Sequence, residues 1–536
     1  MHKVQIYDTT LRDGSQGEGV SFSVEDKIKI TQRLDNLGID YIEGGWPGSN
    51  PKDRDYFQRI KNITLKNAKV SAFGSTRRAG IKVEQDLNIQ ALLAVSVKTV
   101  AIVGKCWDFH VHNAINTTLE ENIKMIADTV AYLKQKGREV FFDAEHFFDG
   151  FKHNPQYALA TIRAAAESGA DAIVLCDTNG GMLPLELQAI IQQVRREIDT
   201  PLGIHAHNDA GMAVANSITA VQNGIQQVQG TINGYGERCG NANLCTVIPN
   251  LQLKLNVPLI TQAQLQGLTE LSRYVAEMAN VIPDERQPYV GSNAFAHKGG
   301  IHVDAVNKNP ETYEHVQPEV VGNRRRILLS ELSGKSNILY RSNENNLGLE
   351  KGSENIKLIL NKLKEMEYDG YQFEGAEASF DLLVWKSTNR YKPLFELEGF
   401  RAIIEKHDDD GMHCEATIKV RVGDKRVHTA ADGNGPVNAL DAALRKALEQ
   451  FYPQLKKVKL VDFKVRVLDG KDGTGAKVRV LIETKSEKKT WGTVGVSPNI
   501  IEASWMALVD SFEYGILCEE NSKALKEEYK ELKHKV

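Results

Sequence analysis

VQIYDTTLRDG, residues 4–14, joins a β-rich run to a polar turn that ends in glycine. The same unit recurs through the first half of the chain, in runs that begin near residues 40, 70, 99, 139, 172, 202 and 228. Helical patterns separate these runs, as in 119–137, where apolar side chains recur at helical spacing at Ile123, Ile126, Val130 and Leu133. Eight strand-and-helix units in about 250 residues predict an α/β fold, a closed (β/α)8 TIM barrel.

A doubly wound open sheet is the structural alternative for the same alternation. That fold would more naturally show a G-x-G-x-x-G turn after the first strand. The turn here reads TTLRDG, which lacks that pattern. The sequence therefore favours the closed barrel.

The turns that follow the predicted strands share one rim of such a barrel, the face where barrel enzymes carry out chemistry. A solvated rim would show Lys, Ser and Glu without pattern, whereas these turns concentrate His, Asp, Asn and Arg. The side chains on this rim are Arg12, Asp13, Gln16, Glu43, Arg77, Arg78, Glu145, Thr178, His205, His207 and Asn241. The first turn can be a plain polar turn or a substrate-binding loop, and the concentration of these residues favours the loop.

His205 and His207 stand two residues apart in the run GIHAHND. Residues at this spacing on a strand face the same side, so both imidazoles can converge on one ion. Packing and hydrogen bonding at a strand end is the alternative. Asp13 and Asn241 would add oxygen ligands from neighbouring strands, and two nitrogen and two oxygen ligands favour Mn²⁺ or Mg²⁺, with Zn²⁺ as a further candidate. Such an ion would chelate and polarise an α-keto acid.

Composition places the chain among ordinary globular proteins and predicts two to four domains for its 536 residues. Lys and Arg number 66 against 70 for Asp and Glu, a balance without an electrostatic footprint for nucleic acid or anionic membranes. The six cysteines include no C-x-x-C pair, and the sequence shows no signal-peptide pattern and no apolar run near the ~20 residues of a membrane span. We therefore expect a cytoplasmic protein that binds neither nucleic acid nor membranes.

After the predicted barrel, the regular alternation of strands and helices ends. Residues 266–372 read as helical and charged, and alternating strands appear from about Phe373. Within this C-terminal region, a pair of stretches resemble each other at an offset of 64 residues, which pairs Thr429 with Thr493 and Ala443 with Ala507. We predict a barrel at 1–265, helical linker subdomains at 266–372, an α+β module at 373–520 and a charged tail at 521–536.

Three motifs, DTTLRDGSQ, HAHND and GYGERCGNANL, together resemble the barrel of the 2-isopropylmalate, homocitrate and citramalate synthases. These enzymes form the acyl-CoA-dependent branch of the DRE-type TIM-barrel metallolyase superfamily. HKGGIHVDAVNKNPETYEHV and WGTVGVSPNIIEAS are similar to the linker and the C-terminal regulatory domain of the same synthases. The resemblance therefore extends over nearly the whole chain. DAEHFFDGFKHNP and NPETYEHV look most like the citramalate synthase branch, which condenses acetyl-CoA with pyruvate.

The resemblance implies a role for each matching residue. Asp13, His205, His207 and Asn241 match the metal ligands, and Arg12 matches the arginine that steadies the developing oxygen anion. Thr178 matches the hydroxyl that binds the keto-acid carboxylate, and Glu145 matches the acidic residue at the reacting centre. Gln16, on the same rim, is also expected to bind substrate. In the linker, His302 matches the base or its partner, with Tyr313 nearby. Without the resemblance, a helix-surface histidine is the simpler interpretation of His302.

The resemblance also implies a homodimer, because in this family the linker reaches over the barrel of the neighbouring subunit. The module at 373–520 is then expected to sense an end-product amino acid, which is isoleucine for citramalate synthesis. The alternative activity is 2-isopropylmalate synthesis from 2-oxoisovalerate, with leucine as the effector, and a more remote one is carbon–carbon cleavage by a metal-dependent lyase. Cys239 is predicted to be a packed structural cysteine. His146 is either a supporting residue of the site or a hydrogen-bonded histidine at a strand end.

Overall fold

The computed structural model describes residues 3–328, 335–344, 354–387, 391–407, 411–468, 475–487 and 489–533. The chain divides into two compact units. The first comprises 1–295 and 316–325, and the second comprises 296–315 and 326–536. No helix in the described ranges has the length and apolar character needed to cross a membrane.

The first unit contains eight parallel strands that close into a barrel, because the first strand pairs with both the second and the eighth. Closure confirms the predicted TIM barrel and excludes the open sheet. The strands are β1 Gln5–Asp8, β2 Tyr41–Gly45, β3 Lys69–Ser75, β4 Thr99–Lys105, β5 Glu139–Glu145, β6 Ala172–Asp177, β7 Leu202–Ala206 and β8 Gln227–Gly230.

Helices follow the strands and pack their apolar faces on the barrel. They are α1 Val24–Leu37, α2 Pro51–Ile60, α3 Leu87–Ala94, α4 Asp108–Asn113, α5 Leu119–Gln135, α6 Phe147–His153, α7 Pro155–Glu167, α8 Pro184–Glu197, α9 Ala213–Gln222, α10 Leu244–Pro249, α11 Gln262–Leu265 and α12 Leu268–Met278. In α5 the Thr118 side chain caps the first turn, and Ile126, Val130 and Leu133 are fully buried, as their spacing predicts.

An aromatic layer fills the barrel interior below the rim. Tyr7, Tyr41 and Phe141 meet there with ring centroids 5.0 to 6.1 Å apart, and Phe73 belongs to the same cluster. Large rings from several strands leave the lower barrel solid rather than open. The space for a ligand is therefore confined to the carboxyl end of the strands.

The second unit contains two three-stranded antiparallel sheets, each packed against a helix. Its strands are β9 Ala296–His297, β10 Arg326–Ile327, β11 Glu396–His407, β12 Gly411–Val422, β13 Lys425–Gly433, β14 Lys459–Val467, β15 Val478–Lys485 and β16 Thr490–Ser497. Its helices are α13 Gly300–Lys308, α14 Lys335–Glu344, α15 Glu354–Tyr368, α16 Glu377–Ser387, α17 Pro436–Leu448 and α18 Ile500–Lys533.

The two sheets repeat one design at the predicted offset. Thr429 donates a hydrogen bond to the Ala443 carbonyl at 2.9 Å, and Thr493 donates to the Ala507 carbonyl at 2.8 Å. The matching bonds confirm that the two sequence stretches form equivalent strand-and-helix halves. The bounds of the four segments drawn from the sequence stay predictions. The side chains of the charged tail, 521–536, lie outside the described residues.

Candidate active site at the carboxyl end of the barrel

Four polar side chains from three segments of the chain converge at one point on the rim. Asp13 Oδ2 lies 3.1 Å from His205 Nε2 and 3.9 Å from His207 Nε2, and the two Nε2 atoms are 3.4 Å apart. The Asn241 amide nitrogen lies 2.8 Å from the same Asp13 oxygen. His205 lies in β7 and His207 directly follows its last residue, so the i and i+2 spacing brings the two imidazoles together as predicted.

The chemistry of this cluster fits a divalent metal ion. Asp13, His205 and His207 are all buried, and one ligand atom from each lies within 4.8 Å of the others. The buried Oδ1 atom of Asn241 has no hydrogen-bond partner among the described residues. A half-turn of this amide would exchange its nitrogen and oxygen, so that an oxygen ligand would face the other three residues. Two imidazoles and two oxygens suit Mn²⁺, Mg²⁺ or Zn²⁺.

Charge coupling within the cluster shifts the pKa values of three candidate ligands in different directions. Burial opposes ionisation of Asp13, but the charge of Arg12 and the hydrogen bond with His205 hold the pKa of Asp13 well below its usual range. Burial would lower the pKa of His205, yet Asp13 outweighs it and raises that pKa. Burial, followed by the charge of His205, lowers the pKa of His207 to about 4, so this imidazole is neutral at physiological pH.

The glycine-rich loop after β8 places Asn241. Gly236 has φ +153°, and a Cβ atom there would lie 2.2 Å from the Asn241 Oδ1 atom. Gly240 has φ +83°, and a Cβ atom there would lie 1.9 Å from the Gly234 carbonyl oxygen. Only glycine permits both the backbone conformation and these close approaches. The glycines of GYGERCGNAN therefore help to fix the position of Asn241, one of the candidate metal ligands.

Arg12 is held by the buried carboxylate of Glu43, a rim residue to which sequence reasoning gave no role. Its Nε atom lies 2.5 Å from Glu43 Oε2, and Tyr7 and Thr9 donate hydrogen bonds to the same carboxylate at 2.7 and 2.6 Å. The guanidinium carbon lies 3.9 Å from the centroid of the Phe73 ring. Arg12 Nη1 lies 3.6 Å from Asp13 Oδ1, so the guanidinium borders the candidate metal ligands. Its planar fork is therefore held rigidly at the edge of this cluster.

A cavity of about 720 Å³ opens beside this cluster. Among the predicted residues, Arg12, Asp13, Gln16, Glu145, Thr178, His205 and His207 line it. The Thr178 hydroxyl accepts a hydrogen bond at 2.9 Å from the backbone N–H of His146. Its own proton is thereby left to donate to a bound carboxylate. The cavity has the size of a small-molecule site with polar groups at one end.

Comparison with known proteins agrees with this geometry. Residues 3–275 match the HMGL-like family, residues 289–370 the homocitrate synthase post-HMGL domain-like family, and residues 374–516 the LeuA allosteric (dimerisation) domain. An (R)-citramalate synthase of Geobacter sulfurreducens is 57% identical over 515 residues, which cover 96% of this chain and 98% of that relative. The chain belongs to the (R)-citramalate synthase family.

Another member of the citramalate synthase family, from Aquifex aeolicus, is 54% identical over 525 residues, covering 98% of this chain and 99% of that relative. A probable 2-isopropylmalate synthase of Methanopyrus kandleri is more distant, at 34% over 514 residues, covering 96% and 98% of the two chains. The family predicted from the sequence motifs is confirmed.

The two linker residues that the citramalate synthase resemblance singles out lie in the second unit. His302 is exposed on α13, and its ring stacks on that of Tyr313 with centroids 4.2 Å apart. Tyr313 is 47% exposed. Their roles toward a barrel stay predictions.

The prediction that Cys239 packs as a structural cysteine is wrong, because Cys239 is exposed. It lies between Arg238, at φ +54°, and Gly240, in a turn closed by the Gly240 N–H and the Glu237 carbonyl. This turn directs the thiol away from the interior. His146, in contrast, is buried in the left-handed region at φ +52° and contributes its backbone N–H to Thr178.

Three buried residues of this citramalate synthase family member support the ligands although sequence reasoning gave them no role. Gln229 Oε1 lies 2.9 Å from His205 Nδ1, and its amide nitrogen donates to Asp143 at 3.3 Å and to Gln227 at 3.4 Å. The Gln229 amide is thus oriented with its oxygen toward His205 Nδ1. The Nε2 atom of His205 is left to face the other candidate metal ligands. Polar residues at alternate positions of a buried strand, as in QVQG, are the signal that could have found them.

Proposed function

We propose that this chain is an (R)-citramalate synthase. It joins the methyl carbon of acetyl-CoA to the carbonyl carbon of pyruvate and then hydrolyses the thioester, giving citramalate and CoA. The observation that carries the proposal is the 57% identity with a citramalate synthase along almost the whole of both chains. The greater distance of the 2-isopropylmalate synthase favours pyruvate over 2-oxoisovalerate as the keto acid.

The residues at the rim account for the handling of the keto acid. A divalent ion held by Asp13, His205, His207 and Asn241 would polarise the carbonyl group. Arg12 donates hydrogen bonds to the carbonyl oxygen as negative charge develops on it. Because Glu43 fixes the Nε side of the guanidinium, the Nη side remains available for this oxygen. Thr178 donates to the keto-acid carboxylate, and Gln16 completes that end of the cavity.

Removal of a proton from the acetyl methyl group requires a base at the reacting centre. We assign it to His302, with Tyr313 stacked against it, and the base acts on the barrel of a second subunit in a homodimer. The match of residues 374–516 to a dimerisation domain supports this assembly. Mn²⁺ or Mg²⁺ is the proposed ion, since no cysteine belongs to the ligand set. The cytoplasmic location stays a prediction.

The experiment that tests this function is a thiol-release assay with acetyl-CoA and a panel of keto acids. Pyruvate should give the highest kcat/KM. 2-Oxoisovalerate carries two more carbons and should be used less well, by a factor set by the ~1–3 kcal/mol per methylene that an apolar pocket can discriminate. A preference for 2-oxoisovalerate would replace the proposed activity with 2-isopropylmalate synthesis. Cleavage of citramalate without thiol release from acetyl-CoA would favour the lyase.

Isoleucine should inhibit the full-length enzyme, and leucine should not. The physical reason is a coupling between the repeated module and the barrel, and such couplings are typically ~1–3 kcal/mol, or about 5- to 150-fold in apparent affinity. The measurement is citramalate formation at rising concentrations of each amino acid. Inhibition by leucine alone would contradict the assignment of citramalate synthesis. A response to neither would leave the module with dimerisation only.

A further inference from the structure

Lys105 is an unassigned cation in the catalytic cavity. It is the last residue of β4, and the strand register places it directly opposite Glu145, the last residue of β5. The Lys105 ammonium forms a direct ion pair with Glu145 Oε2. The two side chains are only 25% and 23% exposed, and both line the 720 Å³ cavity. The pair therefore faces the reaction space rather than open solvent.

The backbone around this pair is anchored by buried hydrogen bonds. The Lys105 carbonyl accepts from the Asn122 amide at 2.8 Å, and fully buried Asn122 also donates to the Tyr157 hydroxyl at 2.8 Å. The N–H of Cys106 donates to the Glu145 carbonyl at 3.3 Å. An exposed ion pair adds little stability, because holding its two long side chains in one geometry costs conformational entropy. Here the fixed backbone and the cavity wall restrict both partners.

The other cations of the cavity have acids of their own. Arg12 is held by Glu43, Arg77 by Glu121 and Asp128, and Arg78 by Asp86. Glu145 is paired with Lys105 and is also the acid that the family resemblance places at the reacting centre. The arginines are therefore held in place by acids that have no assigned role in the reaction, whereas the partner of Lys105 is the acidic residue assigned to the reacting centre.

The negative charges in the cavity indicate a function for the Lys105–Glu145 pair. Asp143, on the same strand and two residues before Glu145, faces the same cavity, and burial followed by the charge of Glu43 raises its pKa to about 7. Pyruvate and acetyl-CoA bring further negative charge into the same space. Without an adjacent cation, the Glu145 side chain would lose the contact that fixes its orientation among these charges.

We propose that Lys105 is a positioning residue that holds Glu145 as an oriented carboxylate at the reacting centre. The inference rests on the proposed function, because it assigns Glu145 a role in that reaction. In this state Glu145 accepts a hydrogen bond rather than donating one, and His302 remains the assigned base. Lys105 acts through Glu145 and does not itself bind the substrate.

The test compares Lys105→Met and Lys105→Arg in the full-length, metal-loaded enzyme. Lys105→Met should lower kcat by roughly 10- to 100-fold, less than the ~10²–10⁴-fold contribution of a complete acid–base group because Glu145 itself is still present, while KM for both substrates stays within about threefold. Lys105→Arg should restore most of kcat.

Other charged and titratable groups lie near the pair. They are Asp143, Arg12, His110, His146, Asp149 and Cys176. A second measurement therefore assigns the effect. Adding Lys105→Met to Glu145→Gln should change kcat by less than about twofold relative to Glu145→Gln alone, since residues that act as a unit are not additive.

Lys134→Met is the matched control. Lys134 also pairs with an acid, Asp171, at 2.7 Å, but it lies on α5 outside the cavity. It should retain wild-type kinetics. A kcat loss in Lys105→Met that Lys105→Arg does not restore, a tenfold rise in KM at unchanged kcat, or additive loss with Glu145→Gln would overturn the inference. Citramalate production by the wild-type enzyme is scored separately, so failure of the proposed function would be recognised on its own.

Discussion

Replacement of His205 or His207 by alanine is expected to abolish citramalate formation and to weaken Mn²⁺ binding on the order of 10²-fold or more. Loss of an outer partner of a metal ligand already costs ~10–100-fold in metal affinity, and these imidazoles would be direct ligands. The effect should be visible without turnover, because a bound ion raises Tm through its affinity for the folded state. Wild-type protein should gain Tm on addition of Mn²⁺, and neither variant should at the same concentration.

His112→Ala is the matched control, since His112 is an exposed histidine on α4 and lies outside the cavity. It should keep both its activity and the response of Tm to Mn²⁺. The metal-free His205 and His207 variants should unfold cooperatively, which would show that the barrel survives. Near-normal activity in either variant after chelation and metal back-titration would contradict the ligand assignment.

Arg12→Lys is expected to cut kcat by about 10²-fold or more, comparable to removal of one preorganised oxyanion donor. Lysine keeps the positive charge beside buried Glu43 but loses the planar fork that Glu43 and Phe73 hold in place. Lysine is the informative replacement. A neutral residue would leave the Glu43 carboxylate buried and unpaired, at about 3–5 kcal/mol of folding stability.

The control for Arg12 is Arg33→Lys. Arg33 also pairs with a glutamate, Glu270 at 3.0 Å, and covers an aromatic ring, Tyr274 at 4.9 Å, but it lies outside the cavity. It should keep wild-type kcat and KM. If Arg12→Lys also keeps kcat within about twofold, the turn after β1 is a structural turn and the oxygen-stabilising role is wrong.

The barrel and much of its rim were predictable from sequence because both follow from short-range rules. Strand and helix alternate with clear periods, and the carboxyl ends of parallel strands share one edge. His205 lies in β7 and His207 stands two residues further on, just beyond its end, so their convergence needs no knowledge of the rest of the molecule. The likeness between the two halves of the C-terminal module was equally visible in the pairing of Thr429 with Thr493.

The supporting residues were not predictable because they depend on how separate strands align. The pairing of Lys105 with Glu145 follows from the register of β4 against β5, which no local pattern in either strand reveals. Glu43, within β2, looks like any acidic residue near the end of a strand until Tyr7, Thr9 and Arg12 are placed around it. Exposure of Cys239 likewise depends on the positive φ angles of its loop, not on the preference of cysteine for the interior.

The proposed reaction joins acetyl-CoA to pyruvate on this barrel with the aid of a divalent ion. NMR of the product formed from pyruvate and acetyl-CoA carrying ¹³C in its methyl group tests it most sharply. We expect ¹³C in the methylene carbon of citramalate, one CoA released per citramalate, and no product from chelated enzyme until Mn²⁺ or Mg²⁺ is restored. Release of CoA with the label recovered as free acetate, or product at full rate from the chelated enzyme, would show that the barrel does not catalyse this metal-dependent condensation.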